Sequence, residues 1–284
     1  MPAPEHFAAN LAMMFTDAPL LERFARARAA GFRAVEISSP EMFQHGSVAL
    51  GAALRGAELR CCLFNMPLGE RDGDMGLAAQ PGRESEFEAS IGVTIEYCRA
   101  LGCRAVHCLA GNEHDDKADN VQQQRQTYVA NLRRLADRFE PEGIIGNLEP
   151  LNAKMAPQYF LKSNEMAASI LAEVDRPDSV KLQFDFFHTQ IINGDVTTQV
   201  RAYLPLAGHV QIAGVPERHE PDDTQELNYD FILAELDRLQ WDGFVGCEYR
   251  PRDAGVGGTE RGLGWLARHG LRPRPGSDDG GSSL

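Results

Sequence analysis

Residues 244–251 read FVGCEYRP. An apolar run with the composition of a buried strand, Phe244 to Cys247, stops on an acid, Glu248, and an arginine and a proline follow two and three places later. One acid at the end of one strand is commonplace, a surface residue where strand meets loop. Its meaning depends on whether other strands end the same way.

Short apolar runs recur at 7–15, 32–37, 58–65, 104–110, 143–150, 180–186, 209–214 and 244–249. Between them lie longer stretches whose apolar residues return every three or four positions, such as 19–31, 84–102, 126–140, 163–174 and 229–240. Strands that each lead into a helix predict a parallel sheet with helical crossovers. Eight such units in 284 residues predict an α/β protein, a single-domain (β/α)8 TIM barrel, rather than an open doubly wound sheet. Neither GxGxxG after the first strand nor GxxxxGK[ST] occurs, which removes support from the usual nucleotide-binding open sheets. The barrel is expected over residues 1–270. A disordered tail is expected over 271–284, where RPRPGSDDGGSSL is rich in Gly, Ser, Pro and Asp and has no apolar face.

Composition narrows the function. Twenty-eight basic against 41 acidic side chains leave a net charge of −13, which opposes binding of a polyanion, so no nucleic-acid partner is expected. No apolar stretch is long enough to span a membrane. The opening MPAPEHFAANLAMMF carries an acid and no basic cluster before its apolar part, so a cytoplasmic protein is expected rather than a secreted one. The six cysteines lie mostly within apolar runs without CxxC spacing and read as reduced core thiols.

In a barrel of this kind the C-terminal ends of the strands share one mouth, where barrel enzymes keep their chemistry. Four runs deliver a polar residue there: Glu149 from NLEP, Asp185 from QFDFFH, Gln211 from HVQIAG and Glu248 from CEYRP. Three carboxylates and an amide oxygen in one pocket raise one another's pKa values unless a cation sits among them. An oxygen-rich set suits Mg2+ or Mn2+ better than zinc; the alternative is an acidic pocket without a metal. His188 and Asn152 leave the same mouth on loops, His188 as a donor to a substrate oxygen or as a helix cap. His209 points to the same side as Gln211 and lower in the barrel, and His107 reads as a satisfied core histidine. The long irregular stretch 66–84 has the length of a lid or binding loop. Its Arg71 and Arg83 are candidates to hold a carboxylate, against a pairing of Arg83 with Glu84 or Glu86. Arg250 either neutralises the pocket or only begins the loop.

The segments AANLAMMF, PGRESEF, LEPLN, QFDFFHTQ, HVQIAGVPERHEP, ELNYDFI and VGCEYRP followed by GLGW, in this order, resemble the hydroxypyruvate isomerase family. That family lies within the xylose-isomerase-like barrels that also include ketose 3-epimerases and endonuclease IV. The likeness runs from about residue 7 to 268. It implies two proton-handling glutamates at Glu149 and Glu248, and a divalent-metal site at Glu149, Asp185, Gln211 and Glu248. It also implies a substrate-contacting histidine at His188 and a homo-oligomer. The chain departs from the pattern in its loops. Met75 stands where relatives carry an arginine, Met155 and Pro157-Gln158 replace an Asp and a Pro-Gly, Gly214 and Glu217 replace an Asp and a Gly, and the 222–226 stretch is longer by a residue.

The expected activity is a metal-assisted isomerisation of a small hydroxy-oxo acid, hydroxypyruvate to tartronate semialdehyde or a 2-oxo-tetronate relative. The alternatives are a ketose 3-epimerase-like sugar epimerase and an inactive metabolite-binding barrel. A DNA-repair nuclease on the same barrel would need several metals and a basic face, which eight scattered histidines and a charge of −13 oppose.

Overall fold

The computed structural model describes residues 2–38, 40–113 and 118–270, so the tail expected at 271–284 lies outside them. In chain order the elements are β1 (Phe7–Asn10), α1 (Leu20–Ala29), β2 (Ala34–Ile37), α2 (Met42–His45), α3 (Ser47–Gly56), β3 (Arg60–Asn65) and α4 (Glu84–Leu101). They continue with β4 (Ala105–His107), α5 (Ala118–Phe139), β5 (Ile145–Leu148), α6 (Asn164–Val174), β6 (Val180–Asp185), α7 (Phe186–Ile192) and α8 (Val196–Tyr203). Last come β7 (Ala207–Ile212), α9 (Tyr229–Arg238), β8 (Val245–Cys247), α10 (Gly258–Gly262) and α11 (Gly264–Arg268). All eight strands pair in parallel in sequence order and β8 closes on β1, giving the expected (β/α)8 barrel in a single domain.

The apolar run at 7–15 ends as a strand at Asn10 because that residue turns the chain. Its carbonyl accepts from Met13 and Met14 N–H at 3.2 and 2.9 Å, and its Oδ1 accepts from Ala12 N–H at 3.0 Å. The α3 segment SVALGAALRG places Leu50 and Leu54 one turn apart on one face. It forms a helix because Leu50 and Leu54 bury against its neighbours, α1 and α4. All six cysteines are buried free thiols. Among the described residues no helix is long and apolar enough to cross a membrane.

Side chains alternate across each strand, and here the two faces have different partners. Phe7, Ala9, Val35, Ile37, Val106, Leu148, Phe184, Val210, Ile212, Val245 and Cys247 join the helices in the main apolar core. Their neighbours point into the barrel. Its lower end is filled by a separate small cluster of Ala8, Ala34, Cys62 and Leu63, with Ala105 and Phe244 against it. Above that plug the interior is polar: Asn10, Glu36, His107, Asn147, Gln183, His209 and Gln211 are all buried. Gly246 is required by this layer, since a Cβ there would stand 1.8 Å from Glu36 Oε1.

Candidate active site

Glu149 follows β5, Asp185 ends β6, Gln211 lies in β7 and Glu248 follows β8, so the four strand-end residues converge on one mouth as closure of the barrel requires. All four are buried. Asp185 also caps α7, its Oδ1 accepting from Phe187 N–H at 2.7 Å, which fixes the direction of the other carboxylate oxygen. Oδ2 faces His188 Nε2 at 3.8 Å and Arg218 Nη2 at 3.4 Å.

Arg218 is the cation that reaches these acids. It lies on the loop after β7, beyond the cis Val215–Pro216 peptide, with a left-handed backbone (φ 61°), and its side chain is buried over the Phe187 ring. Nη2 bonds Glu248 Oε2 at 2.5 Å, Nε donates to the Glu248 carbonyl at 3.2 Å, and Nη1 reaches Met155 Sδ at 3.4 Å. Arg250 makes none of these contacts.

Beneath the mouth the inward polar residues form a connected set. Asn10 Nδ2 is shared among Glu36 Oε2 and Ser38 Oγ, both at 2.8 Å, and Glu248 Oε1 at 3.2 Å. Glu36 also accepts from Gln211 Nε2 at 2.9 Å and pairs with His209 Nε2 through its other oxygen. Gln211 Oε1 in turn accepts from Gln183 Nε2 at 2.7 Å. Gln211 is thus tied into the barrel floor through both ends of its amide, and His209 stands lower on the same face.

Burial sets the protonation of the acids. It is the largest influence on Glu149, raising its pKa well above the usual carboxylate range, and Glu248 and Asp185 push the same way while Arg218 opposes. Burial likewise raises Asp185, against Arg218 and the α7 amides. Glu248 is pushed up to about 8 by burial, with Arg218 lowering it and Glu36 and Asp185 adding to the rise. His107 stands under Glu149, with Nδ1 3.3 Å from Oε2, and burial holds it down to about 3. It is less satisfied than a core histidine is expected to be, because its Nε2 has no hydrogen-bond partner.

Glu149 Oε1 is buried without a partner, and Glu149, Asp185 and His188 form a buried group whose ligand atoms lie within 4.8 Å of one another. Crowded carboxylates with an unpartnered oxygen are what a divalent cation relieves, so this cluster can hold a metal. The histidine has a different part in it. His188 Nδ1 faces the Asn152 backbone N–H at 3.0 Å and Asn152 Nδ2 at 2.8 Å. A backbone N–H can only donate, so Nδ1 must accept and the proton sits on Nε2. Nε2 then offers a hydrogen bond to the mouth rather than a lone pair, and burial, aided by Arg218, keeps the ring neutral.

Asn152 is a support for His188. Its Oδ1 closes its own loop by accepting from Lys154 and Met155 N–H, both at 3.1 Å. Arg83 is clasped between Asp74 (2.6 and 2.7 Å) and Glu86 (2.6 and 2.9 Å), so the pairing with Glu86 is realised. This clip holds the long loop after β3, and Arg71 is exposed on it, with its backbone N–H on Asp74 Oδ2. The loop is further laced to the chain after β4 through Ala78 and Ala79 N–H, and Met75 packs against the core. Asn10 and Glu36 carry a weaker form of the signal at Gln211, a polar residue within an apolar run, on strands β1 and β2. Arg218 carries no such signal.

The family model described as xylose isomerase-like TIM barrel matches residues 24–269. A Danio rerio protein named "Putative hydroxypyruvate isomerase" is 42% identical over 272 residues, covering 94% of this chain and 96% of that protein. A 2-oxo-tetronate isomerase of Cupriavidus necator is 43% identical over 261 residues, covering 92% of this chain and 96% of its own. A crystal structure described as an AP endonuclease of family 2 from Brucella melitensis superposes with a TM-score of 0.87 at 39% identity, covering 94% of this chain and 99% of that one.

Proposed function

The chain belongs to the xylose isomerase-like TIM barrel family and is an isomerase, and from that premise we propose that it interconverts a small hydroxy-oxo acid and its carbonyl isomer with the help of a divalent metal. The substrate is hydroxypyruvate, giving tartronate semialdehyde, or a 2-oxo-tetronate relative. The observation that carries this reading is the pair of buried carboxylates on β5 and β8, Glu149 and Glu248, with Asp185 and Gln211 on the strands between them.

One glutamate removes the proton from the carbon that bears the hydroxyl, and the other returns a proton to the former carbonyl carbon. The hydroxyl proton leaves as the new carbonyl forms and the old carbonyl oxygen gains one, so the exchange needs no oxidant or reductant. In the reverse direction the glutamates trade roles. That both stay protonated to unusually high pH when uncompensated supports a site in which a carboxylic acid and a carboxylate coexist near neutrality. His188 Nε2–H donates to a substrate oxygen, and Arg218 holds Glu248 and Asp185 in place. Glu149 and Asp185 would hold Mg2+ or Mn2+, with Gln211 and Glu248 completing the set, and the ion supplies Lewis-acid stabilisation of developing negative charge. A nuclease acting on DNA is opposed by the net charge of −13.

The test is to incubate the purified protein with hydroxypyruvate or 2-oxo-tetronate and Mg2+ or Mn2+ in deuterated water and follow deuterium entering the carbon skeleton. Exchange is expected, and Glu248→Gln should abolish it in a protein that still melts cooperatively. No exchange with either acid under either metal would refute the reading.

A further inference from the structure

Resting on the hydroxy-oxo acid reading above, we infer that Arg250 is the residue that holds the substrate's carboxylate, in a small cavity at the lip of the barrel beside Glu248. The chain stays extended past the end of β8: the N–H groups of Glu248 and Arg250 both bond toward the β7 side, to the carbonyls of Ile212 at 3.1 Å and Arg218 at 2.8 Å. Tyr249 between them is fully buried on the opposite side, its hydroxyl against Trp265 Nε1 at 3.3 Å. With period-two alternation, Glu248 and Arg250 therefore project to the same side, one at the mouth and one above it.

The loops that follow β1 and β8 line a half-open cavity of about 190 Å³, with Met13, Thr16, Asp17, Arg250, Asp253 and Thr259 among its walls; Glu248, two residues before Arg250, is not part of the lining. At about 30 Å³ per water this is room for roughly six waters, the scale of a small acid. The two acids of the lining and Thr259 are already matched. Asp17 is neutralised by Arg26 at 2.8 Å and by Gly257 N–H at 3.0 Å, and Asp253 by Arg261 at 2.5 Å and Gly255 N–H at 2.9 Å. Thr259 Oγ1 accepts from Phe15 N–H at 2.7 Å. The Arg250 guanidinium, among the described residues, makes no ion pair or hydrogen bond. The cavity thus presents one uncompensated cation with a fork suited to a carboxylate.

Two other arginines near the mouth have their guanidinium groups occupied. Arg218 is bound to Glu248, Asp185 and Met155, and Arg83 to Asp74 and Glu86. Arg71 is exposed on the long loop and bonds Asp74 only through its backbone N–H; its side chain is not among those that line the cavity. Arg250 supplies the charge that the long loop, with Met75 in its arginine position, does not.

Loss of a charge-assisted pair is worth about 10- to 100-fold in affinity. Arg250→Gln should raise KM for the hydroxy-oxo acid, and the inhibition constant of the unreactive acid glycerate, by about that factor, while kcat changes by less than about threefold. Arg250→Lys should recover part of the loss. A merely structural role for Arg250 would lower kcat or the melting temperature instead. KM and the glycerate inhibition constant both within about twofold of wild type in Arg250→Gln would overturn the inference while leaving the isomerase reading standing. A wild-type protein that turns over no hydroxy-oxo acid would bring down the isomerase reading and the assignment of Arg250 with it.

Discussion

Replacing Asn10 by Asp removes one donor from the heart of the site and little else. The side chain keeps its size, and the Oδ1 that accepts from Ala12 N–H survives, so the turn that ends β1 is retained. What is lost is the amide nitrogen shared by Glu36, Ser38 and Glu248. In its place a third carboxyl group faces two buried ones, Glu36 with no exposed surface and Glu248 at 8%. Leaving buried charged acceptors without their donor costs about 1–3 kcal/mol, and at about 2–4 °C per kcal/mol for a chain of this size the melting temperature should fall by roughly 2–12 °C. Glu248 then keeps Arg218 and Ser38 but loses its bond to β1, so its direction toward the substrate carbon loosens. Misplacement of a proton-transfer group by a fraction of an ångström costs roughly 10–100-fold in rate. Deuterium entry from solvent, measured at saturating substrate, should report that loss in kcat with KM within about threefold of wild type. If Asn10→Asp melts several degrees lower yet keeps kcat within about twofold, Asn10 supports the barrel and does not position Glu248. If neither quantity moves, the shared hydrogen bonds carry no weight and the reasoning fails.

Gly246→Ala puts a methyl group into the space of Glu36 Oε1, 1.8 Å away, and should destabilise by about 1–3 kcal/mol in denaturant melts, a cost that Glu36→Ala in the same chain should largely relieve. Arg83→Ala opens the clip to Asp74 and Glu86 and should speed proteolytic cleavage within residues 66–83 several-fold, measured by limited digestion, with the remainder of the barrel intact. His269, packed among Phe7 and Trp265 at the closing end of the chain, has its pKa lowered by burial, partly opposed by Asp230. The unfolded chain therefore takes up its proton first, and the stability His269 contributes is complete above about pH 6.5 and lost as the pH falls below it. Melts from pH 7.5 to 5 should show a shallower acid decline in His269→Gln than in wild type.

How far the residues alone reach is plain in the strands. Apolar runs of strand length between helices of matching period determined a parallel barrel, because strands buried on both faces need helices outside and one another inside. The position of an acid relative to the end of its run determined that Glu149, Asp185 and Glu248 share a mouth, since a parallel barrel brings all its strand ends to one rim. The tertiary structure decided which of those side chains are free. Gln211 is bonded to Gln183 and Glu36 at the floor of the mouth, with one lone pair of its Oε1 left over, and Asn10 meets Glu248 across 238 positions of sequence through the β1–β8 closure. Arg218 enters because a loop with a left-handed residue folds over the rim, and no periodicity records where a loop returns. Arg83 is claimed by Asp74 of its loop and Glu86 of α4, whereas among the described residues the guanidinium of Arg250, two places after the acid in FVGCEYRP, has no partner. Local pattern sets which face a side chain takes; its partner is set by closure and by loop return, which bring together residues far apart in the chain.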